Sequence, residues 1–384
     1  MQGTIINENL VKQAIEDRRY LHQHPELSGE EYETCKYIRT RLEALQIDIL
    51  DYQAPSVVGF IKGKTGNKTI ALRADIDALP ITEEGDKPYL SKYPGVAHMC
   101  GHDGHTAVLL AVAEWLAIEG NEVEPNIVLI FQSAEEITPS GADALIQQGV
   151  LEGIDAIFGL HLWQGLEKGK IGLTHGPMMA SIDDFEIMIQ GYGGHGSMPH
   201  ETVDPIYVAT HVIQSLQSII SRNLNPIDSG VITVGKIEAG TTYNIIPDTA
   251  KLIGTIRALT PEAVHRLQSQ MVQLTEGICR AFGARGQVDF IYGTPPLVND
   301  AKESQFVESV VRQSFGDDVA VLVDPVMGGE DFSYYLQKKP GAFIFVGMGG
   351  EKSLYPHHHP KFDLDEDVFP DAIRLFIDIA RNYN

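Results

Sequence analysis

Cys100 and His102, in HMCGHDGHTA (98–107), sit one residue apart. A thiol and an imidazole at this spacing can face one metal ion. Three more clusters of ligand-type residues lie downstream: AEE at 134–136, LHLW at 160–163 and HHHP at 357–360. All four follow short apolar segments, as strand ends feeding a single metal site would. Metal sites take deprotonated Cys, neutral His and carboxylate. Cys100, His102, Glu136, His161 and one of His357, His358 and His359 supply that set. Five donors exceed the needs of one tetrahedral zinc, and two ions sharing a bridging ligand would use them better.

The pair Glu135–Glu136 has a specific use. Adjacent side chains at a strand end point in different directions. Glu136 can therefore bind metal while Glu135 reaches the attacking water as general base, and later serves as acid to the leaving group. In RADIDALP (73–80), Asp77 is suited to stand behind a ligand histidine, because a metal-bound imidazole normally donates its other N–H to a carboxylate. Asp75 competes for that place. Asp103 is placed to cap the helix that follows and stays outside the ligand set.

These residues need a frame. The first 45 residues read as two helices, with Tyr32, Cys35, Ile38, Leu42 and Leu45 on one buried stripe. Strands are expected at 56–63, 68–77, 126–136, 155–163 and 342–350, and helices at 107–117, 141–153 and 367–383. The alternation predicts an α/β fold with a mainly parallel sheet flanked by helices. Ligands bind beyond the carboxyl ends of such strands, where Asp75, Asp77, Glu135, Glu136 and His161 fall. Residues 180–292 change rhythm. Strand patterns at 183–193, 230–240 and 250–259 alternate with helical stripes at 208–219 and 264–278. The order strand–helix–strand–strand–helix–strand is ferredoxin-like. The expected organisation is a metal-binding catalytic domain, 1–179 and 293–384, with an inserted α+β satellite domain, 180–292.

Composition excludes several classes. The 384 residues carry 29 basic and 52 acidic side chains, a formal charge of −23. Such a surface argues against nucleic acid and anionic membrane as partners. No apolar stretch reaches the ~18 residues of a membrane span, and the N-terminal residues lack the pattern of a signal peptide. Three cysteines are too few for a disulfide framework, and a cytoplasmic location is expected, with Cys100 kept as a thiol.

RADIDALP, HMCGHDGHTA, QSAEE, GLH, GGHGSMPH, TTYNIIPD, GTIR, GGEDF and HHHPKFDLDE occur in that order. Together, over nearly the whole chain, they resemble the bacterial N-acyl-amino-acid amidohydrolases, a group that includes hippurate hydrolase and the plant auxin–amino-acid conjugate hydrolases. The group belongs to the superfamily of aminoacylase and carboxypeptidase-type metallohydrolases. The resemblance implies two divalent metal ions per subunit and a satellite domain that often dimerises, so a homodimer or higher homo-oligomer is expected. It matches Cys100, His102, Glu136, His161 and His358 to the metal ligands, with Cys100 in a bridging place that aspartate holds in most relatives. It selects His358 through a His-x-Pro pattern. It matches Glu135 to the general base and Asp77 to the carboxylate behind a ligand histidine. His195 matches a satellite-domain histidine that polarises the scissile carbonyl, and Asn244 and Arg257 match residues that hold the substrate's carboxylate. SAEE stands here where relatives often read PAEE.

The function so implied is metal-dependent hydrolysis of small N-acyl amino acids, such as N-acetyl compounds, to a carboxylate and a free amino acid. A dipeptidase or aminocarboxypeptidase, or an N-acetyl-diaminopimelate-type deacetylase, would use the same chemistry. A non-catalytic binding protein would not need Glu135, and a thiol redox protein would be expected to carry a CxxC motif. Thiolate and imidazole favour zinc; the carboxylates also admit manganese or cobalt.

Overall fold

The computed structural model describes residues 4–53 and 55–384. They form two compact units, 4–176 with 299–324 and 331–384, and 177–298 with 325–330.

The first unit is built on an eight-stranded sheet. Its strands are β1 (Asp48–Leu50), β2 (Val57–Ile61), β3 (Thr69–Asp75), β4 (Asn126–Gln132), β5 (Ala156–Glu167), β6 (Ile171–Leu173), β15 (Ala320–Leu322) and β16 (Gly341–Gly349). The spatial order is β1-β2-β4-β3-β5-β16-β6-β15. The central four, β4-β3-β5-β16, run parallel. They read as near-continuous apolar runs because a parallel sheet is buried on both faces. The two faces are evident at consecutive residues of β5. Phe158 packs on Phe306 and Tyr383. Gly159 points the other way, where a Cβ would come within 2.9 Å of the rings of Phe332 and Phe343. Side chains alternate across a strand, so the small residue makes room for the helix on that face.

The helices of this unit are α1 (Glu8–Gln23), α2 (Tyr32–Ala44), α3 (His102–Glu119), α4 (Gly141–Gln147), α7 (Ala301–Phe315), α8 (Phe332–Leu336) and α9 (Phe369–Asn382). On α2, Cys35, Ile38 and Leu42 are buried as the stripe predicts, but Tyr32 is exposed. Helix α3 is buried on nearly all sides, packed against α1, α2 and α9. It starts at His102, five residues before the apolar run that announces it in the sequence. Its N-cap is Gly101, at φ +100°, so Asp103 is not the cap. Asp103 sits in the first turn and takes Arg18 Nε and His22 Nδ1, both at 2.8 Å. Arg18, fully buried, also reaches Asp363 and Glu366. This cluster ties α1 to the start of α3 and to the segment before α9.

The second unit carries a four-stranded antiparallel sheet of β8 (Asp183–Gln190), β10 (Gly230–Ala239), β12 (Thr249–Ala258) and β13 (Arg285–Tyr292). Its order is β10-β12-β8-β13, with α5 (Pro205–Ser218) and α6 (Pro261–Ala281) as the connecting helices. This is the ferredoxin-like arrangement. Two small pairs complete it: β9 (Gly194–His195) with β11 (Ile245–Ile246), and β7 (Pro177–Met179) with β14 (Leu297–Val298). Segment 325–330 also belongs here, although the sequence reading assigns it to the catalytic domain. Val326 bridges Met179 and donates its N–H to Met178, a pairing no local pattern announces. Among the described residues, no helix is long and apolar enough to cross a membrane.

The Arg18 cluster makes a pH prediction. Glu83 accepts from His22, from the Ser91 N–H and from Lys87. Burial opposes its charge, but His22 and the other donors bring it down to about 2 from an ordinary 4.5. Its contribution to stability is therefore complete above pH 4.5 and lost as pH falls toward 2. Glu83→Gln should cost about 1.5–3 kcal/mol at pH 7, the range of a charged hydrogen bond. Thermal melts across pH should show the gap between wild type and variant closing through that acid window; a gap independent of pH would contradict the assignment.

Candidate metal centre

The parallel register sets the site. Arg73 of β3 pairs with Gly159 of β5 and with Ile130 of β4, and Asp75 pairs with Gln132. Asp75, Gln132 and His161 thus arrive at one level, and the segments that leave β3 and β4 carry Asp77 and 133–136.

The ligand-type residues converge there. Cys100, His102 and Glu136 place donor atoms within 4.8 Å of one another, as do Cys100, His161 and His357. The two groups share Cys100. His102 donates Nδ1–H to the side chain and carbonyl of Asp77, each at 3.0 Å. That fixes the tautomer and leaves its Nε2 lone pair free. His161 Nδ1 faces the carbonyl of Leu162 at 3.1 Å, and its Nε2 lies 3.6 Å from the Cys100 sulfur. His358, at φ +65°, places Nε2 3.1 Å from Glu136 Oε1 and remains half exposed. His357 Nε2 accepts the N–H of Gln164 at 3.2 Å, so only its Nδ1 is left for anything else.

Two observations test whether a cation fits. His102 Nε2 is buried without a hydrogen-bond partner, and Glu136 Oε1, which His358 Nε2 reaches at 3.1 Å, stands 3.9 Å from it. Buried polar atoms of native proteins are otherwise satisfied, and a cation between them would take both lone pairs. The electrostatics agree. Bonds to Cys100 and Glu136 raise His358 to about 10. Burial disfavours charge on His102, yet the Asp75 carboxylate holds its pKa well above the imidazole range. The Asp75 and Glu136 carboxylates draw positive charge to the place where donors meet, while burial pushes the Cys100 thiol up. A thiolate, imidazoles and a carboxylate suit divalent metal, and the two groups joined at Cys100 suit two ions.

Beneath the donors lies a buried ionic layer. Arg73 donates to Gln132 through Nε at 2.8 Å, and to Asp75 and Asp331 at 2.7 Å each. Asp75 also takes His105 Nδ1 at 2.7 Å, and His105 Nε2 accepts the N–H of Leu162. Asp75 is therefore engaged by Arg73 and His105, while Asp77 faces the ligand-type His102. Burial works against the charge on Asp75, but His102, His105 and Arg73 hold it well below the usual carboxylate range. Asp331 donates its backbone N–H to Glu135 Oε1 at 3.4 Å. Sequence reasoning missed Arg73, His105 and Asp331 as parts of the site, although RADIDALP and GGEDF contain two of them.

His195, Asn244 and Arg257 lie in the second unit. His195 pairs with Ile245 across β9 and β11, and Gly196 donates to the Asn244 carbonyl, so His195 and Asn244 are neighbours. The Nδ1 of His195 accepts the Ser197 N–H at 3.1 Å. Arg257 is on β12, where burial lowers its pKa and Asp184 and Asp183 act against that shift.

Comparison with known proteins places the chain. It is 42% identical over 375 residues to the N-acetyl-L-cysteine deacetylase of Bacillus subtilis, covering 97% of this chain and 88% of that one. It is 39% identical to IAA-amino acid hydrolase ILR1-like 4 of Arabidopsis thaliana, over 95% of this chain and 84% of the other. The crystal structure of the Bacillus subtilis protein YXEP, described as a dinuclear metal-binding peptidase of the M20 family, matches with a TM-score of 0.86. Identity there is 37%, over 97% of this chain and 98% of that one. The pattern of peptidase family M20/M25/M40 matches residues 71–382, and the chain belongs to that family.

Proposed function

We propose that the protein hydrolyses the amide bond of N-acyl amino acids, giving a carboxylate and a free amino acid. The observation that carries the reading is Glu135 set beside Glu136 in a turn whose other neighbours are Cys100, His102 and His358. Its similarity to a deacetylase of an N-acetyl amino acid and to a hydrolase of an acyl–amino-acid conjugate supports the substrate class.

In this reading Cys100, His102, Glu136, His161 and His358 would hold two divalent ions, zinc or manganese. When bound, such ions supply Lewis acidity, acidifying water and polarising a carbonyl. Every other part belongs to the chain. Asp77 keeps His102 Nδ1 protonated and its Nε2 available. Glu135 takes a proton from the attacking water and hands it to the departing nitrogen. The N–H of Asp331 steadies the Glu135 carboxylate. His195 donates to the developing oxyanion, and Asn244 and Arg257 hold the substrate's carboxylate; a planar guanidinium suits that bidentate task. The same reading places the chain in the cytoplasm, where Cys100 stays reduced.

Three outcomes are expected. Glu135→Gln should retain two metal equivalents and lose about 100–10,000-fold in kcat, the usual worth of a general base, when free amino acid is assayed from N-acetyl amino acids and N-benzoylglycine. Near-normal turnover by the variant, or wild-type turnover of dipeptides alone, would overturn the assignment. Cobalt-loaded protein should show an intense near-ultraviolet sulfur-to-metal charge-transfer absorption that Cys100→Ser abolishes; its persistence in the variant would remove Cys100 from the ligand set. The second unit exposes Tyr192, Ile237, Ile245, Ile291 and Tyr292, apolar surface of the kind that interfaces cover. Sedimentation at micromolar concentration should therefore give a dimer, and a monomer alone would contradict it.

A further inference from the structure

The turn that carries Glu135 and Glu136 is held in an unfavourable shape. Ala134 has φ +53°, a left-handed conformation that costs a non-glycine residue about 1–2 kcal/mol. Such strain persists only where surrounding groups impose it. Two carboxylates do so here. Glu31 Oε1 accepts the Ala134 N–H at 2.7 Å, and Asp77 Oδ2 accepts the Glu136 N–H at 3.0 Å. The residue between them, Glu135, is reached by the Asp331 N–H. Asp77 has a second employment at His102. Glu31 has none of that kind.

Glu31 is also in an unusual place for a carboxylate. It is the N-cap residue of α2, but its side chain makes no capping bond. It is fully buried instead. A cap would leave the carboxylate near solvent and the helix dipole. Burying it costs several kcal/mol unless a partner requires it. Beside the local N–H groups of Gly29 and Glu31, its long-range partner is the Ala134 N–H, 103 residues away in the chain.

We propose that Glu31 is a positioning residue for the carboxylate pair. It locks Ala134 in the left-handed conformation, and together with Asp77 it sets the directions in which Glu135 and Glu136 leave the backbone. The inference rests on reading Glu136 as a metal donor and Glu135 as the proton carrier.

The test uses the full chain with Glu31→Ala, Glu31→Gln and Glu31→Asp. Zinc affinity is measured by competition with a chromophoric chelator, without substrate; kcat and KM follow on the best N-acyl amino acid. The Gln carbonyl can still accept the Ala134 N–H, so Glu31→Gln should stay near wild type in both. Glu31→Ala should lose about 10–100-fold in zinc affinity, the usual cost of removing a group behind a ligand, and a comparable factor in kcat with KM little changed. Glu31→Asp keeps the charge but falls short of the N–H, and should show the same losses. It decides the matter should the alanine variant fail to fold. Wild-type zinc affinity in Glu31→Asp, or a Gln variant as impaired as Asp, would overturn the proposal. Should wild type hydrolyse no N-acyl amino acid, the substrate reading fails, while the zinc affinities still decide the role of Glu31.

Discussion

The site depends on one buried guanidinium. Arg73 is fully enclosed and forked among Asp75, Gln132 and Asp331. A charge in such a place cannot be left unpaired, and removing one partner of a buried pair typically costs about 3–5 kcal/mol. The three acceptors come from the end of β3, the end of β4 and the start of α8. Arg73 therefore holds those segments to one another, and Asp75 passes the constraint through His105 to the N–H of Leu162, next to His161. Asp77 follows Asp75 by two positions, Glu135 and Glu136 follow Gln132 by three and four, and His161 immediately precedes Leu162. Their geometry is set by the ionic layer beneath them rather than by the loops they occupy.

Above that layer carboxylates set the protonation of the imidazoles. Cys100 and Glu136 pull a proton onto His358, and Asp75 does the same to His102 against the cost of burial. Burial keeps His161 and His357 neutral, with His357 lowered to about 3. A divalent ion would displace the protons of His102 and His358, since metal ligands must be deprotonated. The chain's overall charge of −23 has the same sign, and it would raise the local concentration of cations around the protein.

Much of this was legible from residue types and spacing. Glu136 announces itself because it follows the apolar run of β4, His161 because it lies in the apolar run of β5, and Cys100 and His102 by their spacing just before the apolar run of α3. The satellite fold was legible from period-two strands alternating with helical stripes. What escaped was of three kinds. The start of α3 was hidden because His102, Asp103, His105 and Thr106 are polar yet buried, His102 and His105 toward Asp77 and Asp75 and Asp103 toward Arg18, so periodicity does not mark them. Long-range ion pairs were hidden because no local pattern links Arg18 to Asp103 or Arg73 to Asp331. Buried acids such as Glu31, inside SGEEYET, were hidden because a run of carboxylates looks solvated. The choice among His357, His358 and His359 could not come from composition. In the structure His357 Nδ1 is buried without a partner in the group with Cys100 and His161, while His358 Nε2 meets Glu136 at 3.1 Å.

The central claim is that these converging donors hold two divalent ions on which amide hydrolysis depends. Its most direct test is a titration of metal back into chelator-stripped protein, with bound metal by equilibrium dialysis and release of an amino acid from its N-acetyl derivative followed together. The account predicts no turnover in the stripped protein, with binding that saturates at two ions per chain as activity reaches its plateau. Undiminished turnover without metal, or a stripped protein that binds none, would contradict it.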